Sequence, residues 1–305
     1  MPLDLTGIQN VGEFYSHHYL DALLDKDLKG LFDRWRAADA ATPDKRLERC
    51  ATDYFKAKSR AMNQRRPELR YAPSHTIHVE ILQALGYDYD FGVQYLADGH
   101  ALPALSAVNR SGLPYLWLVE TVFTDADASP LDNRLLKDQY PAHETDDAAD
   151  RPRDTWEDVI GQIFRLDQPP RRLMLLAGRF IYLIDRTKWG QGQYLLFDLD
   201  ELFGRRPRDA LRATAALLSR DALAPEDGLP IHDTLDENSH KHAYGVSTDL
   251  KYGVRKAVEL LANEYVWYQT NIGKKAVYSD EKLAQELTRE CLTYLYRLLF
   301  LFYAE

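Results

Sequence analysis

Few residues in this chain have the type and spacing for chemistry, and they are scattered. One carboxylate, Glu120, stands inside the otherwise apolar run LWLVETVF at residues 116–123. A carboxylate so placed either holds a cation or pairs with a base, and Arg179 is the candidate for that base. His75 and His78 are three apart and share a helical face, but two imidazoles fall short of a zinc ligand set. His240 and His242 have the spacing of a strand-borne metal pair. They sit among Asp, Asn and Ser, where hydrogen bonding or contact with a neighbouring domain is the simpler reading. Lys56, Lys58, Arg60, Arg65, Arg66 and Arg70 are opposed only by Glu68. Such a run is either a solvated helix end that complements the helix dipole or a surface for phosphates.

Composition narrows the classes. A chain of 305 residues with 45% hydrophobic and 28% charged residues builds a globular core in one large domain or two ordinary ones. The net charge is -9, so the whole chain does not advertise nucleic-acid binding, although local patches still can. Residues 125–154 concentrate the acid, with nine Asp or Glu against four Lys or Arg. No apolar run reaches the roughly 20 residues of a membrane span, and the first residues lack a secretory pattern. Two distant cysteines, Cys50 and Cys291, fit a reducing, cytoplasmic setting better than a disulfide framework.

The elements that must position these residues follow from periodicity. Residues 6–36 predict one or two amphipathic helices, with Thr6 as a cap. Asp44 to Met62 predicts another, and Ser74 to Leu85 a further one with Ser74 as N-cap and Gly86 beyond its end. VQYLA, ALPALSAVN and LPYLWLVETVF predict strands, the last buried on both faces. Residues 124–155, with three prolines, predict a long surface excursion or mobile loop. TWEDVIGQIFRL predicts a helix. RLMLLA, a Gly178-Arg179 turn, FIYLID and YLLFDLDELF predict a β-meander leading into a short helix. Residues 205–225 predict a helix with a loop, and residues 231–249 a polar loop containing His232, His240 and His242. Asp249 is expected to cap one long helix and Ser279 the last one. That last helix ends in an apolar turn, Leu295 to Tyr303, without a stop signal, and predicts a longer protein continuing past Glu305. The fold class expected is α+β, close to α/β, with N-terminal helices, a central mixed sheet and C-terminal helices.

Three stretches, RRLMLLAGRFIYLIDRTKW with YLLFDLDELF, DENSHKHAYGVSTDLKYGVRKAVELLANE and LTRECLTYLYRLLFLFYAE, carry a resemblance. They resemble the N-terminal region of large adenine-specific DNA methyltransferases. These belong to type IIG restriction–modification systems and to phage-defence systems of the DISARM and BREX kind. The resemblance implies a restriction-nuclease-like sheet of the PD-(D/E)xK type followed by a helical connector. It divides the chain into a helical segment 1–70, a nuclease-like α/β domain 71–225 with the acidic excursion 124–155, and a connector 226–305. DNA, other defence-system subunits and the remaining domains of the same polypeptide are the implied partners, with no membrane. S-adenosylmethionine belongs to a region outside this chain, since neither an Asn-Pro-Pro-Tyr nor an Asp-Pro-Pro-Tyr loop occurs here.

The implied nuclease site needs acids to hold Mg²⁺ and a lysine to orient water. Glu120 fits the strand acid, Asp98 the earlier acid and Glu80 the assisting helix acid. The lysine position, two residues after Glu120, is Val122. Lys188 is the nearest substitute by chain order, and it joins the basic patch as a DNA contact. The expected function is therefore a non-cutting nuclease-like scaffold of a DNA adenine methyltransferase. Two alternatives stand beside it: an active Mg²⁺-dependent endonuclease domain, and an interaction domain with no nucleic-acid role.

Overall fold

The structure is a computed structural model describing residues 4–16, 19–20, 23–38, 41–140, 154–274 and 281–303. Its centre is a six-stranded mixed sheet in the order β1-β8-β7-β6-β5-β4. The strands are β1 (Ile8–Val11), β4 (Ser106–Arg110), β5 (Leu113–Thr121), β6 (Arg172–Ala177), β7 (Phe180–Asp185) and β8 (Tyr194–Asp198). Strands β2 (Gly92–Tyr95) and β3 (Ala101–Ala104) form a separate antiparallel pair. Within the large sheet only β5 and β6 run parallel.

The helices in chain order are α1 (Leu24–Ala37), α2 (Pro43–Arg49), α3 (Ala51–Met62), α4 (Pro67–Ala84), α5 (Trp156–Ile163), α6 (Arg186–Trp189), α7 (Leu199–Arg205), α8 (Arg208–Leu218), α9 (Arg220–Leu223), α10 (Ile231–Asn271) and α11 (Glu281–Tyr303). The class is α+β, with helices before and after a mixed sheet, as the periodicity predicts.

Alternation along the strands creates two cores. Leu116 and Leu118 of β5, Met174 and Leu176 of β6, and Ile181 and Leu183 of β7 join one apolar cluster with α1–α4 and α7–α9. Their neighbours Trp117, Val119, Leu173, Leu175 and Ile184 join a second with α5. Residues 1–70 thus share a core with the sheet. The chain divides into two compact units, residues 1–239 and residues 240–305. In the second unit the least exposed side chains of α11 recur at Leu283, Leu287, Cys291, Leu295 and Leu298. Leu292, Tyr296, Leu299, Phe300 and Phe302 of that helix are exposed. Among the described residues no helix is long and apolar enough to cross a membrane.

Several elements differ from the sequence expectation, each for a physical reason. Residues 8–11 form β1, the edge strand paired with β8, rather than helix; long-range pairing supplies partners that periodicity cannot see. The helix over 44–62 breaks at Cys50 into α2 and α3. Ser74 is not an N-cap but lies inside α4, which starts at Pro67 and runs through Pro73. An internal proline costs a helix about 3 kcal/mol, so contacts with the sheet must offset it. Residues 231–249 are helical within α10, not a polar loop. Asp249 therefore caps nothing. Part of the acidic excursion is packed: Leu131, Leu135 and Tyr140 are buried in the second core. Its residues 141–153, and the expected cap Ser279, lie outside the described residues.

The two-residue turn between β6 and β7 fixes the approach of the helices to the sheet. Gly178 has φ +62, and a Cβ there would sit 2.6 Å from Phe123 Cα. Gly178→Ala is expected to cost about 3 kcal/mol or more, combining left-handed strain with a backbone clash. Gly112→Ala, with φ +76 but open space around it, should cost only about 1–2 kcal/mol. Urea denaturation midpoints compare the two, and equal losses would contradict the close packing at Gly178.

Candidate functional site

Glu120 lies on the same face of β5 as Leu116 and Leu118, the face that meets α4. It is 5% exposed. Its partner is not Arg179, which instead grips Asp198 through Nε at 3.0 Å and also faces Asp200. Two imidazoles from α4 bracket Glu120. His75 Nδ1 lies 2.6 Å from Oε1 and His78 Nδ1 lies 2.8 Å from Oε2. Spacing of three on a helix puts both rings over one strand position.

The backbone N–H of Gly178 donates to His78 Nε2 at 3.0 Å. That nitrogen is therefore an acceptor, so the proton sits on Nδ1 and is donated to Glu120. Both ring nitrogens of His78 are thus committed. His75 differs. Its side chain is 27% exposed, and its Nε2 faces the Tyr89 hydroxyl at 3.5 Å. The Tyr71 ring lies 5.3 Å from the His75 ring, centroid to centroid. Gln139 Nε2 donates to the Glu120 backbone carbonyl at 2.9 Å. A second set of bonds joins α4 to the exit of β5. Ser74 Oγ donates to the Arg70 carbonyl and accepts from the Phe123 N–H. Arg70 donates to the Gln64 carbonyl, the Phe123 carbonyl and Asp125.

Burial pushes the Glu120 carboxyl up, but the hydrogen bonds from His75 and His78 outweigh it and hold the group below its ordinary 4.5. The hydrogen bond to Glu120 raises His75 above 6.5, against the opposing effect of burial. Chemically this is a Glu–His dyad with one ring nitrogen toward solvent. It can hold or pass a proton at His75 Nε2. Each Glu120 oxygen already accepts an imidazole N–H in a buried setting, which disfavours a metal there. Among the described residues no group of three or more His, Cys, Asp or Glu is arranged to hold a metal ion.

The other acids expected at this site lie elsewhere. Glu80 is on α4 but turned toward α3, where burial and Asp53 raise its pKa. Five residues from His75, it faces the opposite side of the helix. Asp98 is on the β2–β3 turn and binds His100 through its N–H at 3.0 Å and its Nδ1 at 2.7 Å. Val122 is buried.

Lys188 does not stand at the Glu120 site. Its ammonium lies over the Phe14 and Tyr15 rings and pairs with Asp236 at 2.5 Å. The basic patch is also reduced. Arg70 is 7% exposed and committed, Lys58 pairs with Asp200, and Lys56 pairs with Asp53 at 2.8 Å. Arg60, Arg65 and Arg66 remain exposed, with no acidic partner among the described residues. His240 and His242, two apart on helical α10, point to different sides of it and cannot share a metal. His232 is buried; it accepts from the Tyr15 hydroxyl at 2.6 Å and donates to the Leu217 carbonyl at 2.7 Å.

Pattern reading passed over Tyr89, Gln139 and the Gly178 N–H, because each reaches the site from a distant part of the chain, and Tyr71, one turn before His75 on α4, because a tyrosine there carries no local signal of the site. The findable signal was local. A histidine pair on one helical face and a lone carboxylate in an apolar strand are natural partners.

The linked pH dependence follows from the two shifts. The His75 contribution is full below 6.5 and is lost as pH rises through its raised value. The Glu120 contribution is full above 4.5 and is lost as pH falls through its lowered value. Between those limits the helix–strand contact is strongest. Imidazole NMR should place His75 above 6.5, and Glu120→Gln should return it toward that value and destabilise the fold by about 3 kcal/mol. A His75 that titrates at or below 6.5 in the native chain would contradict the dyad. No protein-family model, curated protein or solved structure matches this chain.

Proposed function

We infer that this chain is the N-terminal module of an adenine-specific DNA methyltransferase of a restriction–modification or phage-defence system. In this reading its nuclease-like sheet is a non-cutting scaffold that contacts DNA and partner subunits. One observation carries the non-cutting part: both carboxylate oxygens of Glu120 are taken by His75 and His78. Mg²⁺ requires oxygen ligands in near-octahedral array, and a buried Glu120 whose two oxygens each already accept an imidazole N–H is poorly placed to supply one. Val122 in the lysine position and the separate placements of Asp98 and Glu80 support the same conclusion. The placement of Glu120 on an interior strand beneath a helix is what the resemblance to restriction nucleases implies. In this reading methyl transfer and S-adenosylmethionine belong to other domains.

DNA contact is assigned to Arg60, Arg65 and Arg66, at the end of α3 and the start of α4. The exposed aromatic and aliphatic side chains of α10 and α11, among them Trp267, Tyr268, Tyr296 and Phe300, supply the surface for partner subunits or further domains. Large exposed apolar patches are characteristic of interaction sites.

Plasmid incubated with the protein and Mg²⁺ or Mn²⁺ should stay intact. Cleavage that disappears in Glu120→Ala would establish the endonuclease alternative instead. Duplex binding, followed by fluorescence anisotropy, should weaken with salt. Reversing Arg60, Arg65 and Arg66 to Glu should reduce the slope of log K against log salt by about 2–3. An absence of salt-dependent binding would leave the protein-interaction reading in its place.

A further inference from the structure

A second concave site lies apart from Glu120 and owes nothing to the reading above. A cavity of about 520 Å³ is walled by the end of α1, the start of α2, the residues after α4, and α9 with the segment that follows it. Its volume falls in the range of small-molecule sites, roughly 300–1,000 Å³. Three arginines, Arg34, Arg46 and Arg220, line it together with two acids, Asp221 and Glu226, so the lining carries a net positive charge.

Their charges are not equally compensated. Arg220 reaches Asp88 at 2.8 Å and Glu226 at 3.3 Å, but both carboxylates are largely solvated, and such pairs hold a cation weakly. Arg46 is held by two backbone carbonyls, Ala84 through Nε at 2.8 Å and Ala41 through Nη1 at 2.7 Å. These fix the guanidinium without neutralising it. Its Nη2 lies over Gly86, 3.5 Å from where a Cβ would stand. Arg34 is exposed and has no carboxylate partner among the described residues.

The apolar wall is rigid. Trp35 is 7% exposed, packs on Phe32 and donates its indole N–H to Asp221. Leu85 is buried beside it. Helix-end electrostatics explain part of this, since Arg46 and Arg34 stand at the C-terminal ends of α4 and α1, where cations complement the dipole. That effect does not call for a pocket. It leaves a fixed guanidinium, a free one and an aromatic wall converging on one concavity.

The geometry points to a binding site for a small organic phosphate of mononucleotide size. Arg34 and Arg46 take the phosphate, for which the planar guanidinium fork is suited. Ala38, Pro225 and the accessible part of Trp35 take the less polar body of the ligand.

The test is isothermal titration calorimetry of the full chain with adenosine 5′-monophosphate and uridine 5′-monophosphate, with adenosine and inorganic phosphate as separate arms. At least one nucleotide should bind, and more tightly than either adenosine or phosphate. Arg34→Glu lies on an exposed position and should fold normally. It should weaken binding about tenfold or more, the effect of losing one charge-assisted contact. Arg165→Glu, an exposed charge reversal outside the cavity, should leave it unchanged. Arg46→Gln, checked for folding by circular dichroism, should also weaken binding. Failure of both nucleotides to bind would overturn the site. Affinity unmoved by Arg34→Glu and Arg46→Gln would do the same. Adenosine binding as tightly as its monophosphate would remove the phosphate assignment, and phosphate alone binding as tightly would remove the organic body.

Discussion

The docking of α4 on β5 depends on one buried carboxylate that must be paired. Glu120 is the polar position on a strand face otherwise made of Leu116 and Leu118. Leaving an ionised group there without partners would cost several kcal/mol. His75 and His78 meet that demand, and in doing so fix the rotation and height of α4 over the sheet. The constraint spreads through His78, whose second nitrogen takes the Gly178 N–H and thereby pins the β6–β7 turn. The same turn abuts Phe123, so strand, helix and turn are set by one chain of contacts. Pro73 inside α4 is tolerated because Arg70, Ser74, His75 and His78 anchor the helix on both sides of it.

The opposite end of the parallel strand pair carries a matching set of buried charges. Arg172 opens β6 and is fully buried. It faces its cross-strand partner Asp185 at 3.3 Å, reaches Asp233 of α10 at 2.7 Å, and contacts the Tyr115 hydroxyl. Lys188 pairs with Asp236 one turn further along α10, and His232 of the same helix joins Tyr15. The first turns of α10 are therefore seated by ionic and hydrogen-bonded contacts around the buried Leu235, with Ile231 packed beside it. Buried ion pairs add little net stability over well-packed apolar groups, but breaking one is costly. Their effect here is to make helix placement specific: α4 at one end of the sheet, the root of α10 at the other.

That arrangement explains what was legible in the sequence. Strands β5 to β8 and helix α5 were readable because local alternation and capping agree with their final burial. Thr155 caps α5, accepting from Asp158 N–H. Strand β1 was not readable, because its four residues are strand only by virtue of β8. The start of α10 was misread because Asp233, Asp236, Asn238 and Ser239 look like a solvated loop. In the fold these same residues carry its tertiary contacts. Lys188 and Arg70 read as free cations for a related reason: a charge run does not reveal which members find acids at long range. For the site, the sequence supplied Glu120, His75 and His78 separately. Their union needed the register of β5 against α4, which no local pattern contains.

The same energetics bear on what the presence of Glu120 means. Once His78 donates to Glu120 from one nitrogen and accepts Gly178 with the other, the acid cannot be removed alone. Its loss would strand the His78 N–H in an apolar interior, and a buried donor without a partner costs about 1–3 kcal/mol. A nuclease lysine has no comparable hold. A buried lysine ammonium two residues on would need its own partner, and Val122 at that position packs without one. Strand acid and lysine are thus decoupled: packing retains the first whether or not it works, and nothing in this interior retains the second. Glu120 by itself is therefore no sign of a cutting site. The informative features are the two imidazoles that close it and the valine beside it.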